Sequence, residues 1–450
     1  MNDTIAAIST SVGGAISIIR VSGEEAIKIT NKIFKGKDLL TADSHTINYG
    51  YIVENSKIID EVLVSVMKSP NTYTKENITE INCHGSIASV SKILELLLKN
   101  GCRMAEPGEF TKRAFLNGRI DLLEAESVID IINSKTEKSL DLSIKQLTGQ
   151  ATKMISNLRE EILSLLATIE VKIDYPEYED IEDITHNEVL SNIDKIEQKM
   201  KSIIDESKNA KVIQNGIKTS IIGKPNVGKS SILNRLIGEE KAIVTSIEGT
   251  TRDIVEGNIN IDGILLNLID TAGIRKTSDI VENIGVKKSI EQIEKSQLIL
   301  FVLDNNKEIE DSDYQILEKI KNKNYIILIN KSDLESKIEI EKLDKDKIVF
   351  ISALNNDGFL ELKNKIKQMF NINKIESEDL TYLTSSRSIS LLEQANSKIP
   401  EIKEAIKNNF PIDMIEIDIK EMWNILGKII GETYEEELIN KLFSQFCLGK

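Results

Sequence analysis

The sequence predicts a multidomain α/β protein. It would have an α+β domain at the N-terminus, a helical domain split in sequence, and a Ras-like P-loop GTPase domain inserted into the helical one. The octapeptide GKPNVGKS at residues 223–230 matches the phosphate-binding P-loop and stands between a strand-like and a helix-like run. Helical periodicity lies before and after this α/β region. A chain of 450 residues is also too long for a single hydrophobic core.

The N-terminal segment, residues 1–118, alternates strand-like runs with turns. Its apolar patterns predict strands at residues 16–21, 61–67 and 78–83, followed by a helix at residues 88–99. A mixture of this kind indicates an α+β domain.

Residues 119–213 and 375–450 are predicted to form the two parts of the helical domain, with the GTPase domain at residues 214–374 between them. Such an insertion could transmit the nucleotide state into the helices. An acidic stretch at residues 174–180 predicts a solvated loop, although it could also meet a basic partner. Two apolar stripes at helical spacing predict bundle core: Leu158, Ile162, Leu165, Leu166 and Ile169, and Val189, Ile193, Ile196, Met200 and Ile203.

Composition predicts a cytoplasmic protein. The formal net charge is −15, no apolar run is long enough to span a membrane, and the N-terminus lacks the basic region of an export signal. An acidic balance argues against strong nonspecific binding to nucleic acid. Cys83, Cys102 and Cys447 are too few and too scattered for a metal site, so we expect reduced thiols.

The P-loop predicts a nucleotide phosphate site. Its glycines let backbone N–H groups surround a phosphate, while Lys229 would reach the outer phosphates and the Ser230 hydroxyl would bind Mg²⁺. The strand-like residues 219–222 lead in and the helix-like residues 231–237 lead out, as this motif requires.

Three later motifs, each after a strand-like run, identify the nucleotide as GTP. In the motif at residues 270–273, a carboxylate can hold Mg²⁺ through water and a glycine amide can contact the γ-phosphate. Asp333, in the motif at residues 330–333, would accept from both N1–H and the exocyclic amine of guanine, which adenine does not offer. The motif at residues 352–354 would brace the base.

Hydrolysis needs an unusual arrangement in this chain. Ile274 stands where many GTPases place a glutamine that orients the attacking water, and no arginine finger is evident. Asn226 could give an oxygen ligand to a monovalent cation beside the phosphates, and the loop at residues 245–251 could close over that cation.

These features and several distant segments resemble one family of potassium-activated GTPases, the MnmE (TrmE) family that modifies wobble uridine in tRNA. The resemblance extends over essentially the whole chain. It is strongest in DTIAA at residues 3–7, IRVSG at residues 19–23, PGEFTKRAFLNG at residues 107–118 and the terminal FCLGK at residues 446–450.

The resemblance implies roles for particular residues. Glu282 would be the catalytic glutamate that orients water when two GTPase domains meet. Mg²⁺ would bind Ser230 and Thr251, and K⁺, acting as an arginine finger, would bind Asn226, Thr245, Ile247 and Thr250. A 5-formyl- or 5,10-methylene-tetrahydrofolate would bind Arg20, Glu80, Arg119 and Lys450. The GTP contacts would be Asn226, Val227, Gly228, Lys229, Ser230, Ser231, Thr245, Ser246, Ile247, Glu248, Gly249, Thr250, Thr251, Asp270, Thr271, Ala272, Gly273, Asn330, Lys331, Asp333, Ser352 and Ala353.

The implied assembly is a homodimer through the N-terminal domain that forms a heterotetramer with the FAD-dependent protein MnmG. Together they would install an aminomethyl or carboxymethylaminomethyl group at C5 of wobble uridine in certain tRNAs, with glycine or ammonium as the amine source. The alternative functions are a ribosome-assembly or RNA-chaperone GTPase and a purely regulatory switch. Cys447 could act as a thiol or only pack, and His84 could be an acid–base group or a structural histidine.

Overall fold

The computed structural model describes residues 3–174, 186–239, 257–269, 293–370 and 382–449. The chain divides into two compact units. The first comprises Met1–Ile129, Thr152–Glu182 and Phe410–Lys450, and the second comprises Asp130–Ala151 and Asp183–Asn409. The four segment boundaries expected from the sequence remain a prediction.

Two sheets organise these residues. The strands are β1 (Thr4–Ile8), β2 (Ile16–Ser22), β3 (Phe34–Gly36), β4 (Thr46–Glu54), β5 (Lys57–Met67), β6 (Ile78–His84), β7 (Cys102–Met104), β8 (Ile217–Ile222), β9 (Asn258–Ile261), β10 (Ile264–Leu268), β11 (Leu298–Asp304), β12 (Tyr325–Asn330) and β13 (Ile348–Phe350). The first seven form one sheet in the order β3-β4-β5-β6-β2-β1-β7, and the other six form a second in the order β13-β12-β11-β8-β10-β9.

The described helices occupy both units. They are α1 (Ala26–Ile33), α2 (Ile87–Lys99), α3 (Glu109–Leu116), α4 (Leu122–Asn133), α5 (Glu137–Leu147), α6 (Gln150–Asp174), α7 (His186–Asn215), α8 (Lys229–Glu239), α9 (Asp311–Ile320), α10 (Phe359–Met369), α11 (Ser386–Ser397), α12 (Ile399–Lys407), α13 (Ile412–Ile430) and α14 (Glu436–Phe443). Within the described ranges, no helix combines the length and the apolar character that crossing a membrane requires.

In the first unit, alternation along the strands separates the two faces of the sheet. On β2, Ile19 and Val21 are buried in the core that also takes Ile27 of α1 and Ile93 of α2. Because successive side chains of a strand point to opposite faces, Arg20 lies on the other face. The predicted strands and helix of the N-terminal segment are confirmed by β2, β5, β6 and α2. The alternation along the strands leaves a polar site on the face of the sheet away from α1 and α2.

The second unit has the fold expected of a nucleotide-binding α/β domain. The strands β13, β12, β11, β8 and β10 run parallel, and β9 pairs antiparallel with β10 at the edge. Every residue of β11 and β12 is buried. Parallel strands covered on both faces are almost continuously apolar, as these two are up to Asp304 and Asn330, the polar residues that end them.

The helical stripes predicted from the sequence are core residues. The members of both stripes are buried, those of α6 in the first unit and those of α7 in the second. In the second unit α7 packs along α11 and α12 and also against β10. Fully burying each such aliphatic side chain contributes about 1.5–3 kcal/mol, so packing rather than helix propensity holds these helices in place.

Candidate functional site

The P-loop lies at the carboxyl end of β8, between that strand and α8. Three of its residues have left-handed backbone conformations: Gly223, Asn226 and Gly228, with φ of 147°, 64° and 99°. A Cβ atom on Gly228 would lie 2.1 Å from the amide nitrogen of Asn330, and one on Gly223 would lie 2.4 Å from the carbonyl oxygen of Val302. The loop therefore requires glycine at both positions.

The ammonium group of Lys229 is already positioned by the loop. It donates to the carbonyl oxygens of Gly223 and Lys224 at 2.7 and 2.6 Å. Burial lowers the pKa of Lys229 below its usual value. An ammonium has three donors, so one remains for a phosphate oxygen, whose negative charge would favour the charged form of the lysine.

The guanine motifs meet the P-loop from β12 and β13. The Asn330 side chain donates to the carbonyl oxygen of Val227 at 2.8 Å and accepts from the backbone N–H of Ala353 at 3.2 Å. The Ser352 hydroxyl donates to Oδ1 of Asp333, whose side chain is exposed. The structure thus brings three separate sequence motifs to one edge of the sheet and orients the carboxylate predicted to select guanine.

Two further residues of this region were not identified from the sequence. Asp304, buried at the end of β11, forms an ion pair with Lys331 at 2.6 Å and so fixes the side chain predicted to contact GTP. Arg235 on α8 donates to the carbonyl oxygens of Ala353 and Leu354, which anchors the base-bracing turn. Nothing local marks either residue, because each acts on a segment far along the chain.

Several predicted site residues lie outside the described residues, and their roles remain predictions. They are Thr245, Ser246, Ile247, Glu248, Gly249, Thr250, Thr251, Asp270, Thr271, Ala272, Gly273, Glu282 and Lys450, and the same holds for most of the acidic loop. Ser230 and Ser231 are described and begin α8 together with Lys229, as the motif requires.

A second candidate site lies on the sheet of the first unit. Arg20 and Glu80 face each other across β2 and β6, with Nε and Nη2 of the arginine 2.8 and 2.7 Å from Oε1 of the glutamate. The guanidinium carbon of Arg20 is 5.5 Å from the ring centroid of Tyr73 and 5.6 Å from that of Phe110. Arg119 lies 4.5 Å from the Tyr73 ring. Arg20 therefore links the three residues expected to act together, because it pairs with Glu80 and shares the Tyr73 ring with Arg119.

The C-terminal peptide reaches this cluster. The carbonyl oxygen of Gly449 accepts from Arg20 Nη1 at 3.5 Å and from the Ser9 hydroxyl at 3.2 Å. The carbonyl oxygen of Cys447 accepts from the backbone N–H of Gly108 at 3.3 Å. The Cys447 side chain itself is exposed. The sequence analysis did not assign Tyr73, Phe110 or Gly449 to this site, because only the fold brings them to Arg20.

The other cysteines and His84 have structural surroundings. Cys83 and Cys102 are free thiols, and burial raises the pKa of Cys83 to about 11 and that of Cys102 to about 12. Both thiols are therefore protonated and unreactive at neutral pH. His84 Nδ1 lies 2.6 Å from Asp60 Oδ1, and this hydrogen bond raises the pKa of the histidine above its usual value.

Comparisons with known proteins identify the family of this chain. The family described as "GTP-binding protein TrmE N-terminus" matches residues 4–119, and the family described as "MnmE helical domain" matches residues 122–447. The tRNA modification GTPase MnmE of Lactococcus lactis subsp. cremoris (strain MG1363) is 51% identical over 449 residues, covering 100% of this chain and 98% of the relative. The MnmE of Bacillus cytotoxicus is 49% identical over 455 residues, covering 100% and 99%.

Solved structures similar to this chain include GTP-binding domains. One is the G domain of the T. maritima FeoB iron transporter, 27% identical, covering 34% of this chain and 98% of that one with a TM-score of 0.25. Another is Aquifex aeolicus Era bound to GDP and AlF4⁻, 26% identical, covering 40% and 66% with a TM-score of 0.24.

Proposed function

The chain belongs to the MnmE family of tRNA modification GTPases, and we propose that it acts with the flavoprotein MnmG on the wobble uridine of certain tRNAs. The product would carry an aminomethyl or carboxymethylaminomethyl group at C5, built from a tetrahydrofolate one-carbon unit and from glycine or ammonium. Because its substrates are tRNAs, we place this work in the cytoplasm. The observation that carries the proposal is the meeting of Arg20, Glu80 and Gly449 in one cluster.

This cluster has the chemistry that a reduced folate needs. The aminopyrimidinone end of the ligand offers N–H donors to a carboxylate such as Glu80, and its carbonyl accepts from a guanidinium such as Arg20. The rings of Tyr73 and Phe110 supply apolar surface beside Arg20. Cationic side chains suit the glutamate tail of the ligand, a role that we assign to Arg119 and to Lys450, which follows Gly449 directly.

For GTP hydrolysis we propose K⁺ on Asn226, Thr245, Ile247 and Thr250, and Mg²⁺ on Ser230 and Thr251. Asn226 supports this assignment because it lies within the P-loop with an exposed side chain, whose carbonyl oxygen is available to a cation. The cation would supply charge stabilisation in place of an arginine finger, and Glu282 would orient the attacking water. Hydrolysis would drive the conformational change that lets modification proceed.

We further propose that the protein is a homodimer through its N-terminal domain and that the dimer binds MnmG. The sheet face that carries Arg20 also carries Ile47, Tyr49 and Leu63, which are 68%, 57% and 45% exposed. Apolar residues grouped on one face favour an interface over solvent. Leu63→Lys should therefore shift the protein towards monomer in analytical ultracentrifugation. Leu334→Lys, at a position 44% exposed in the second unit, is the matched control and should not.

The experiment that tests the function is nucleoside mass spectrometry of tRNA from cells with and without this protein. We expect cells without it to lose 5-aminomethyl-type wobble uridines. Complementation with the wild-type gene should restore them, whereas Arg20→Gln should not, although that variant should still hydrolyse GTP. A Lys99→Gln variant alters an exposed surface lysine and serves as the complementation control.

Two results would contradict the proposal. Unchanged wobble uridines in the cells without the protein would remove the assigned position on tRNA. Full restoration by Arg20→Gln, with unaltered binding of 5-formyl-tetrahydrofolate to the purified variant, would remove the folate site and leave the one-carbon source open.

A further inference from the structure

Lys224, the second residue of the P-loop, connects two parts of the GTPase fold. Its backbone carbonyl oxygen accepts from the ammonium of Lys229 at 2.6 Å. Its own ammonium lies 2.7 Å from Oε2 of Glu310 and 2.8 Å from Oδ2 of Asp313, at the start of α9. One residue thus contacts the phosphate-binding lysine with its backbone and a neighbouring helix with its side chain.

Of the two carboxylates that pair with Lys224, that of Asp313 is buried. The side chain of Asp313 is 4% exposed, and among the described residues its Oδ1 atom has no hydrogen-bond partner. Its Oδ2 atom also accepts from the backbone N–H of Glu310, and this hydrogen bond caps the start of α9. A buried carboxylate needs a cation close by, and Lys224 provides one.

The loop and the helix are not close-packed where the ion pair joins them. A cavity of about 140 Å³ lies there, lined on the loop side by Lys224, Pro225 and Val227 and on the other by Asp304 and Asp313. This pocket is partly open to solvent, and its empty volume supplies no packing contacts that would fix the distance between its walls. The position of the loop relative to α9 therefore depends strongly on the ion pair.

We infer that Lys224 is a positioning residue for GTP hydrolysis. Its ion pair with Asp313 fixes the distance between α9 and the loop carbonyl groups that accept from Lys229. When this ion pair is intact, the remaining donor of Lys229 points at the phosphate position. When the ion pair is removed, the loop can shift into the cavity, and Lys229 moves with it. This inference rests on the GTPase activity alone and not on the proposed tRNA chemistry.

A double-mutant cycle on the full-length protein tests the inference. We expect Lys224→Met and Asp313→Asn each to lower kcat/KM for GTP about tenfold, because small misplacements of a catalytic group have effects of this order or larger. The double variant should be no worse than Lys224→Met alone, because that substitution already removes the ion pair with Asp313. Lys224→Arg should keep most of the activity. Lys321→Met, which removes an exposed ion pair at the other end of α9, is the control and should be unchanged.

The release rate of a fluorescent GDP analogue is the second readout, and it should rise in both single variants but not in the control. If the variants lower the melting temperature while kcat/KM and release, measured well below it, stay at wild-type values, Lys224 is only a structural residue and the inference is wrong. Additive losses in the double variant would equally overturn it. Should Lys224→Met fail to fold, Asp313→Asn and Lys224→Arg still decide the question, since asparagine can keep the cap of α9.

Discussion

The guanidinium of Arg20 donates to the carbonyl oxygen of Gly449 over 3.5 Å, although the two residues stand 429 positions apart in the chain. Gly449 holds a left-handed backbone with φ of 88°, and a Cβ atom there would lie 2.4 Å from the carbonyl oxygen of Ile8. The C-terminal peptide therefore reaches the cluster only because this residue is a glycine. That requirement gives the terminal peptide a direct structural part in the proposed folate site.

Gly449→Ala should displace the C-terminal peptide and weaken folate binding. The left-handed backbone costs a residue with a side chain about 1–2 kcal/mol, in addition to the clash with Ile8, so we expect about a tenfold loss of affinity for 5-formyl-tetrahydrofolate. Isothermal titration calorimetry measures it. Leu448→Ala, at an exposed neighbour, is the control, and GTP affinity should stay constant in both variants. Equal folate affinity of wild type and Gly449→Ala would contradict the role.

GTP hydrolysis should be faster in KCl than in NaCl at matched ionic strength. The informative variant is Asn226→Gly, because glycine accepts the left-handed backbone of this position while removing the side-chain oxygen. We expect it to lose the difference between the two salts, whereas Asn226→Asp should keep part of it. The measurement is the steady-state rate of phosphate release in each salt. Equal rates of the wild-type protein in KCl and NaCl would exclude activation by K⁺.

Asp333→Asn should change the base preference from guanine to xanthine. Loss of a charge-assisted pairing costs about 1.5–3 kcal/mol, so GTP affinity should fall about 10- to 100-fold. Xanthosine triphosphate, which carries a carbonyl group where guanine has its amine, should gain affinity. Ser352 could still donate to the asparagine oxygen and leave the amide nitrogen for the base. Competition binding with both nucleotides tests this, and unchanged GTP affinity would mean that another residue recognises the base.

Glu282→Ala should leave nucleotide affinity intact and abolish most turnover, because the residue is proposed to orient water and not to bind GTP. Binding of a non-hydrolysable GTP analogue and single-turnover hydrolysis separate these effects. Glu294→Ala, which changes another glutamate of the same domain, should behave like wild type. A kcat of Glu282→Ala equal to that of the unaltered protein would reject the catalytic role.

His84 should make a pH-dependent contribution to stability. The hydrogen bond to Asp60 raises the pKa of His84, so the folded state favours the charged imidazole. This contribution is fully present below about pH 6.5 and is lost as the pH rises through the raised pKa. His84→Gln should therefore lower the melting temperature at pH 6 and have little effect at pH 9. The dependence should vanish when Asp60 is replaced by asparagine, and an equal shift at both pH values would show that charge plays no part.

The motifs of the candidate GTP site could be recognised in the sequence because each of them is local. The P-loop from Gly223 to Ser230 is eight consecutive residues, and the motifs at Asn330 and Ser352 each follow an apolar strand. In a parallel sheet the carboxyl ends of all strands lie at one edge, so motifs that each follow a strand are expected at that same edge. The buried stripes of α6 and α7 were predicted for the same kind of reason, since helical spacing can be read within one segment.

The sequence by itself determined the family, the nucleotide, the principal elements and the identity of most candidate residues. Only the tertiary structure decided that Tyr73 and Phe110 lie beside Arg20, that Gly449 reaches it, that Asp304 fixes Lys331, and that Lys224 ties the P-loop to α9. The physical reason is the distance along the chain between the residues in contact. Periodicity and motif spacing record interactions among neighbours in the chain, whereas these contacts depend on strand order and side-chain packing between distant segments, which no single segment encodes.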